Sequence, residues 1–314
     1  MAKDAFQLQG NAAKIYEEQK IPAVFGPLAA ETLKHIKISA DDRVLDIACG
    51  TGVVARTITS QTTFKKAIVG IDLNQGMIDT AASLTASSGS AFEWHVGDAT
   101  VMPFKDGQFS LALCQQGLQF FGDEAAALRE FRRVLEPGGR LVFTIWHSPS
   151  PLFLALADSF RREVDDKTAD LSLAPFSYPR HAELIAILSE ARFQTETDMA
   201  ISVDRTISDP VNDIPKEILG NPIGPAVSAH GEAVMQKITE EVIAATASFR
   251  QGSALVIPQR ARLIVATRLA SRPNVSRAAR PSRQRQRPPR LPYCISGGPA
   301  FHSQVDAPTQ HPAA

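Results

Sequence analysis

Apolar and polar positions alternate in two distinct rhythms between about residues 44 and 146. Val44–Ile47, Ala67–Asp72, Phe92–Val96, Phe109–Cys114 and Arg140–Trp146 are short runs rich in β-branched and aromatic residues, bounded by Gly, Pro, Asp or Lys. Such runs predict strands. Between them, Thr51–Ile58, Asn74–Ser87 and Asp123–Leu135 repeat apolar residues at helical spacing,. Strands alternating with helices predict an α/β fold, a doubly wound and mostly parallel sheet with right-handed crossovers. Residues 5–38 precede this unit and read as helix. Ile15, Tyr16 and Gln19 share a face, and Pro22 and Pro27 are expected to break the segment,. Glu136-Pro137-Gly138-Gly139 predicts a stop and a turn.

The pattern continues less regularly. Residues 151–192 carry helical apolar stripes through Leu152, Leu156, Phe160, Leu184 and Leu188, and Phe193–Val203 reads as a sixth strand,. Residues 209–250 are punctuated by proline and end in a long helix from about Gly231. Leu255–Ile257 and Arg262–Ala266 read as a final strand. Beyond Arg268 the composition changes to arginine and proline, with seven arginines, no lysine and one acid, Asp306. Such a tail cannot bury enough apolar surface to fold alone. It is an RNA-binding or anionic-surface arm, or an extension without a role.

One stretch concentrates chemistry. Val44-Leu45-Asp46-Ile47-Ala48-Cys49-Gly50-Thr51-Gly52 joins a buried strand to a helix through glycines, where backbone can approach a ligand closely,. Asp46 before the glycines suits a ligand with an ammonium group. Gly50-x-Gly52-x-x-Ala55 also fits a dinucleotide fingerprint. A carboxylate ahead of the glycines would, however, repel a pyrophosphate. Asp72 ends the second strand about twenty residues on, where an acid reaches a ribose diol, although a helix-capping role also fits. Asp98 follows the third strand, where it can accept from an adenine amine. Gln115, Gln116 and Gln119 follow the fourth strand, where open α/β sheets bind ligands.

Formal net charge is zero over 314 residues, but the basic tail leaves the body mildly acidic, unlike a nucleic-acid-binding surface,. Cys49, Cys114 and Cys294 lack metal-ligand spacing, so no metal is expected,. No apolar run approaches a membrane span, and no signal-peptide pattern opens the chain. The expectation is a cytoplasmic protein.

These motifs resemble the class I S-adenosylmethionine-dependent methyltransferases, particularly the small-molecule group that includes the ubiquinone/menaquinone C-methyltransferases. The likeness lies in Val44–Gly52, Val69–Asp72, Gly97–Ala99 with Pro103-Phe104, and Ala126–Arg140, and covers roughly residues 10–150. It implies a Rossmann-like sandwich with a mostly parallel seven-stranded sheet and a final antiparallel strand. It implies a domain over 1–268, with helical cap insertions at about 151–180 and 205–250, and a disordered tail over 269–314. The implied cofactor is S-adenosyl-L-methionine. Asp46, Gly50 and Gly52 would line its methionine portion, with Ala48 standing where relatives have a glycine. Asp72 would hold the ribose, Leu73 and Met77 would flank the adenine, and Asp98 and Ala99 would read its edge. Cys114, Gln115 and Tyr16 would contact the amino-acid end.

The expected reaction moves a methyl group to oxygen or carbon of a small, largely apolar or aromatic acceptor. Phe153, Phe160, Phe176, Ile214, Ile218 and Ile223 are available to line its pocket. His147 at the end of the fifth strand is the candidate base. The alternatives are a non-catalytic cofactor-binding or RNA-associated protein, and an NAD(P)-dependent oxidoreductase.

Overall fold

The computed structural model describes residues 12–177 and 181–270. The arginine-rich tail and Cys294 lie outside the described residues.

The described residues open with α1 (Ala12–Ile15), a π-helix (Tyr16–Phe25) and α2 (Gly26–Leu33). Pro22 does not break the segment as expected. It sits inside the wide π turn, where the Gly26 amide reaches back to the Ile21 carbonyl. Pro27 falls in the first turn of α2, where a missing N–H costs nothing,. Next come β1 (Val44–Ile47), α3 (Val53–Gln61), β2 (Ile68–Asp72), α4 (Gln75–Thr85) and β3 (Phe92–Val96). After β4 (Phe109–Gln115), α5 (Glu124–Val134) leads into β5 (Leu135–Trp146). Asp123 caps α5, its carboxylate accepting from the Ala126 amide at 2.8 Å,. The predicted turn at Glu136–Gly139 is instead the irregular start of β5. Leu135 pairs with Phe109, the register shifts before Leu111, and Gly138 takes φ +81°.

The second half contains α6 (Pro151–Glu163), α7 (Asp166–Leu173), α8 (His181–Glu190) and β6 (Phe193–Ile207). Then follow α9 (Pro210–Leu219), α10 (Gly224–Ser228), α11 (Glu232–Ala245), the short β7 (Arg250–Gln251) and β8 (Ala254–Arg268).

The sheet order is β3-β2-β1-β4-β5-β8-β6, with β7 beside β8. The five strands of the first half are parallel, and β8 runs antiparallel to both β5 and β6. The seven expected strands are present, with β7 as a two-residue addition. Val44, Leu45, Asp46 and Ile47 are all buried, as a central parallel strand covered on both faces requires,.

Two cores flank the sheet. One packs α5 and α8 through Phe131, Leu128, Leu184 and Leu188. The other packs the π-helix, α2 and α3 through Val24, Leu28, Ala55 and Ile58. β5 ends at Trp146 opposite Ala261, but β6 and β8 continue past it as a paired ribbon. The ribbon's Ile207, Leu255 and Ile257 join a third core with α6, α7, α9, α10 and α11. Phe160, Ile214, Ile218 and Ile223, expected along a pocket, are buried in that third core. Composition does not separate a helix's packing face from a ligand face.

Candidate active site at the carboxyl ends of the strands

The loop after β1 depends on left-handed backbone. Gly50 and Gly52 have φ of +55° and +80°, and Ala48, without glycine's freedom, has +52°,. Gly52 begins α3 as its N-cap. Beneath the loop lies Trp94, which pairs with Gly70 across the β2–β3 ladder. A Cβ on Gly70 would come within 2.3 Å of the indole, and one on Gly52 within 2.5 Å. Both glycines therefore make room for Trp94, whose Nε1 donates to Thr85 Oγ1 at 3.0 Å. Trp94 went unnoticed in the sequence. Its signal was Gly70, a glycine within a strand.

Asp46 is 1% exposed. Its Oδ2 accepts from the Ala55 amide at 3.2 Å, while Oδ1 is buried without a partner among the described residues. Burial pushes its carboxyl up to about 7. Asp72 adds to the rise and the Ala55 N–H opposes it,. Asp46 thus uses an amide at the start of α3, which a dinucleotide pyrophosphate would need.

Asp72 accepts from the Gly50 amide and from the Asn74 amide, each at 2.9 Å. Burial raises its carboxyl and those amides oppose the rise. The cap of α4 is Asn74, whose Oδ1 accepts from the Met77 amide at 3.1 Å. Asp72 therefore supports the loops, with lone pairs left for a ligand.

Other expected residues gather around this point. Tyr16 is 3.9 Å from where a Gly50 Cβ would lie. Burial, then Asp72 and Glu17, hold its phenol protonated. The Gly97 amide donates to the Asp72 carbonyl, placing Asp98 just beyond the β2 end. Asp98 Oδ1 accepts from both the amide and the hydroxyl of Thr100. Met77 and Ala99 are buried and Leu73 is exposed.

Residues after β4 and β5 divide differently. Cys114 is fully buried, and burial pushes its thiol up to about 12, so its side chain belongs to the core. Gln115 Nε2 donates to the Phe25 carbonyl at 3.0 Å, tying β4 to the π-helix. Gln116 donates to Thr144 Oγ1, and Gln119 is buried with neither side-chain polar atom partnered. His147 is exposed at the rim, its amide donating to the Arg260 carbonyl. Partial burial, then Arg260 and Arg262, lower its imidazole from the usual range.

From the glycine loop a row of aromatic rings leads to the third core. Tyr16 stacks on Phe25 at 5.4 Å, and Phe25 lies 6.1 Å from Trp146. Trp146 lies 6.2 Å from Phe176, which meets Phe153 of α6 at 4.8 Å. Among the described residues no cluster of His, Cys, Asp or Glu is arranged to hold a metal, and no helix is long and apolar enough to cross a membrane.

This geometry accompanies clear kinship. Residues 44–139 match the family model described as a methyltransferase domain. The 2-phytyl-1,4-naphtoquinone methyltransferase of Synechococcus elongatus is 33% identical over 159 residues, covering 48% of this chain and 68% of that protein. The ubiquinone/menaquinone biosynthesis C-methyltransferase UbiE of Geobacter sulfurreducens is 36% identical over 119 residues, 37% of this chain and 46% of its own. Among solved structures, the YcgJ protein of Bacillus subtilis superposes with a TM-score of 0.51 at 19% identity, over 78% of this chain and 99% of its own. Phosphoethanolamine N-methyltransferase 2 of Haemonchus contortus, solved with S-adenosylhomocysteine, gives 0.53 at 17% identity, over 85% and 59%. At such identities these two show the fold. The curated relatives supply the rest: the chain belongs to the class I S-adenosylmethionine-dependent methyltransferases, an enzyme with S-adenosylmethionine as its methyl donor.

Proposed function

We propose that this enzyme methylates oxygen or carbon of a small, largely apolar aromatic acceptor held between the glycine loop and the helices of the third core. The observation that carries this reading is the row Tyr16, Phe25, Trp146, Phe176 and Phe153. Flat rings offset along one another present faces and edges that suit another flat ring. The quinone-type substrates in the names of the curated relatives agree in kind. Residues 151–180 and 205–250 act as the cap that selects the acceptor, on a methyltransferase domain of 1–268.

The donor site is assigned as follows. Asp46 Oδ1, buried and unpartnered, receives the methionine ammonium, and Tyr16 lies beside that end. Gly50, Gly52 and Ala48 bring backbone against the methionine portion. Asp72 holds the ribose diol, Leu73 and Met77 flank the adenine, and Asp98 and Ala99 address its edge. Cys114 contributes through backbone alone, and Gln115 through its grip on Phe25.

When bound, S-adenosylmethionine supplies a sulfonium-activated methyl whose leaving thioether is neutral, so no acid is required. The chain's residues position the acceptor in line and exclude water. His147, held neutral at the rim, is the candidate base where the acceptor carries a proton,. Incubation with methyl-labelled S-adenosylmethionine and separate pools of metabolites, RNA and protein tests the reading. Label in small aromatic products is expected, and label only in macromolecules would refute it.

A further inference from the structure

Past the end of β5, one face of the β6–β8 ribbon is apolar except at two adjacent levels. On β6, Ile201 and Val203 belong to the core under the π-helix and Ile207 to the cap core. Arg205 lies between them. On β8, Ala261 and Leu263 belong to the first and Leu255 and Ile257 to the second. Gln259 lies between them. Val203 pairs with Gln259 and Arg205 with Ile257, so the two polar residues are diagonal neighbours on one face,. They mark the seam where cap meets sheet.

Both are deeply buried, Arg205 at 3% exposure and Gln259 at 0%. Arg205 Nη1 meets Glu217 Oε2 of α9 at 3.0 Å. Lys20 of the π-helix meets the same oxygen at 2.5 Å. Asn221 Nδ2 donates to Glu217 as well. The guanidinium stacks over Phe153, the last ring of the aromatic row, at 5.3 Å. One carboxylate thus serves two buried cations.

Several groups are left over. Among the described residues Arg205 Nε has no partner, and neither Gln259 Oε1 nor Nε2 has one. Burying polar groups without partners is costly, and such groups in native proteins call for an explanation. The charge imbalance points the same way. Burial would raise the Glu217 carboxyl, but Lys20 and Arg205 hold it down to about 2. Lys20 is itself lowered, by burial first, with Arg205 also opposing its charge and Glu217 favouring it. Among the described residues the seam is one negative charge short.

We infer that the Lys20–Arg205–Gln259 seam is an anion subsite for the acceptor, binding a carboxylate or equivalent ionised oxygen on an aromatic ring. The inference deepens the acceptor reading above and rests on it. The ring packs along Phe153, Phe176 and Trp146. The anion supplies the missing charge against Lys20 and Arg205 and accepts from Gln259 Nε2 and Arg205 Nε. The cluster already joins the π-helix, the ribbon and α9 through Glu217.

The test uses the full chain and 2-naphthoate, with 2-naphthamide as its neutral counterpart. Titrations are followed by calorimetry, with and without saturating S-adenosylhomocysteine. The acid should bind at least tenfold more tightly than the amide. Arg205→Gln leaves Lys20 and Glu217 as a neutral pair and should abolish that preference, while S-adenosylhomocysteine affinity stays within twofold. Arg205→Lys, which keeps the charge, should retain part of it. Gln259→Leu should weaken acid binding while raising Tm, whereas a purely structural role would only raise Tm. Equal binding of acid and amide by the unaltered protein, or no binding of either, overturns the subsite. It is also overturned if Arg205→Gln weakens S-adenosylhomocysteine but not methylthioadenosine, which lacks a carboxylate, because the cation would then serve the cofactor. Failure of S-adenosylhomocysteine to bind the unaltered protein would instead sink the donor site, and the acid–amide comparison made without it stands apart.

Discussion

Asp46→Asn should stabilise the ligand-free enzyme and weaken its cofactor binding together. The Asp46 carboxyl moves from an ordinary 3.8 to about 7 on folding. At about 1.4 kcal/mol per pKa unit, keeping it ionised in the folded protein costs about 4 kcal/mol. Because the folded value lies above the unfolded one, full stability is present below pH about 4. It is lost as pH rises through about 7. Asparagine removes that loss, but its amide nitrogen would face the unpartnered Oδ1 position at a cost of about 1–3 kcal/mol,. The variant should therefore be more stable than wild type at pH 8, by roughly 1–3 kcal/mol, and no more stable at pH 4.5. An ammonium facing the ionised carboxylate should contribute about 1.5–3 kcal/mol, so binding should weaken by roughly 10- to 150-fold. Wild-type affinity should rise with pH toward 7, since binding to the ionised form releases a proton below that value. Calorimetry from pH 5.5 to 8.5 in buffers of different ionisation enthalpy, with thermal scans, measures all three. A dissociation constant flat with pH and changed less than twofold by Asp46→Asn would refute the assignment.

Three further outcomes are expected. Asp72→Ala should weaken S-adenosylmethionine binding by about 1.5–3 kcal/mol with the fold intact, and unchanged affinity in calorimetry would reduce Asp72 to a loop support. Gly70→Ala forces a Cβ into the Trp94 indole and should cost about 1–3 kcal/mol in chemical denaturation, with partial recovery in Gly70→Ala/Trp94→Leu,. Ala48→Gly relieves a left-handed alanine and should gain about 1 kcal/mol in the same assay; a loss would mean that its methyl group packs usefully,.

The strand ends that form the candidate donor site were legible because their signals are local. Asp46 precedes its glycines, Asp72 ends an apolar run, and each strand end brings its own acid to one edge of a parallel sheet. The sheet's first half was legible from the same rhythm. The proposed acceptor side was not, because Lys20, Arg205, Glu217 and Gln259 meet only after folding and no spacing joins them. Arg205 did carry a trace, occupying an apolar phase between Val203 and Ile207. Propensity misled at Pro22, where tertiary packing sustains a π turn. Apolar content misled at Phe160 and Ile218, which fill the third core.

The position of β8 between β5 and β6 has a consequence for synthesis. β5 leaves the ribosome more than a hundred residues before its partner, since Arg140 pairs with Thr267 and Trp146 with Ala261. β6 emerges earlier than β8 too, yet among the described strands it has no other neighbour in the sheet. Until residue 268 is out, the nascent chain holds a long apolar edge on β5 and an unpaired fifteen-residue strand. Late pairing of this kind is slow, and such edges invite pairing with other chains. The third core depends on the same ribbon, so it is completed only once β8 has paired with β6.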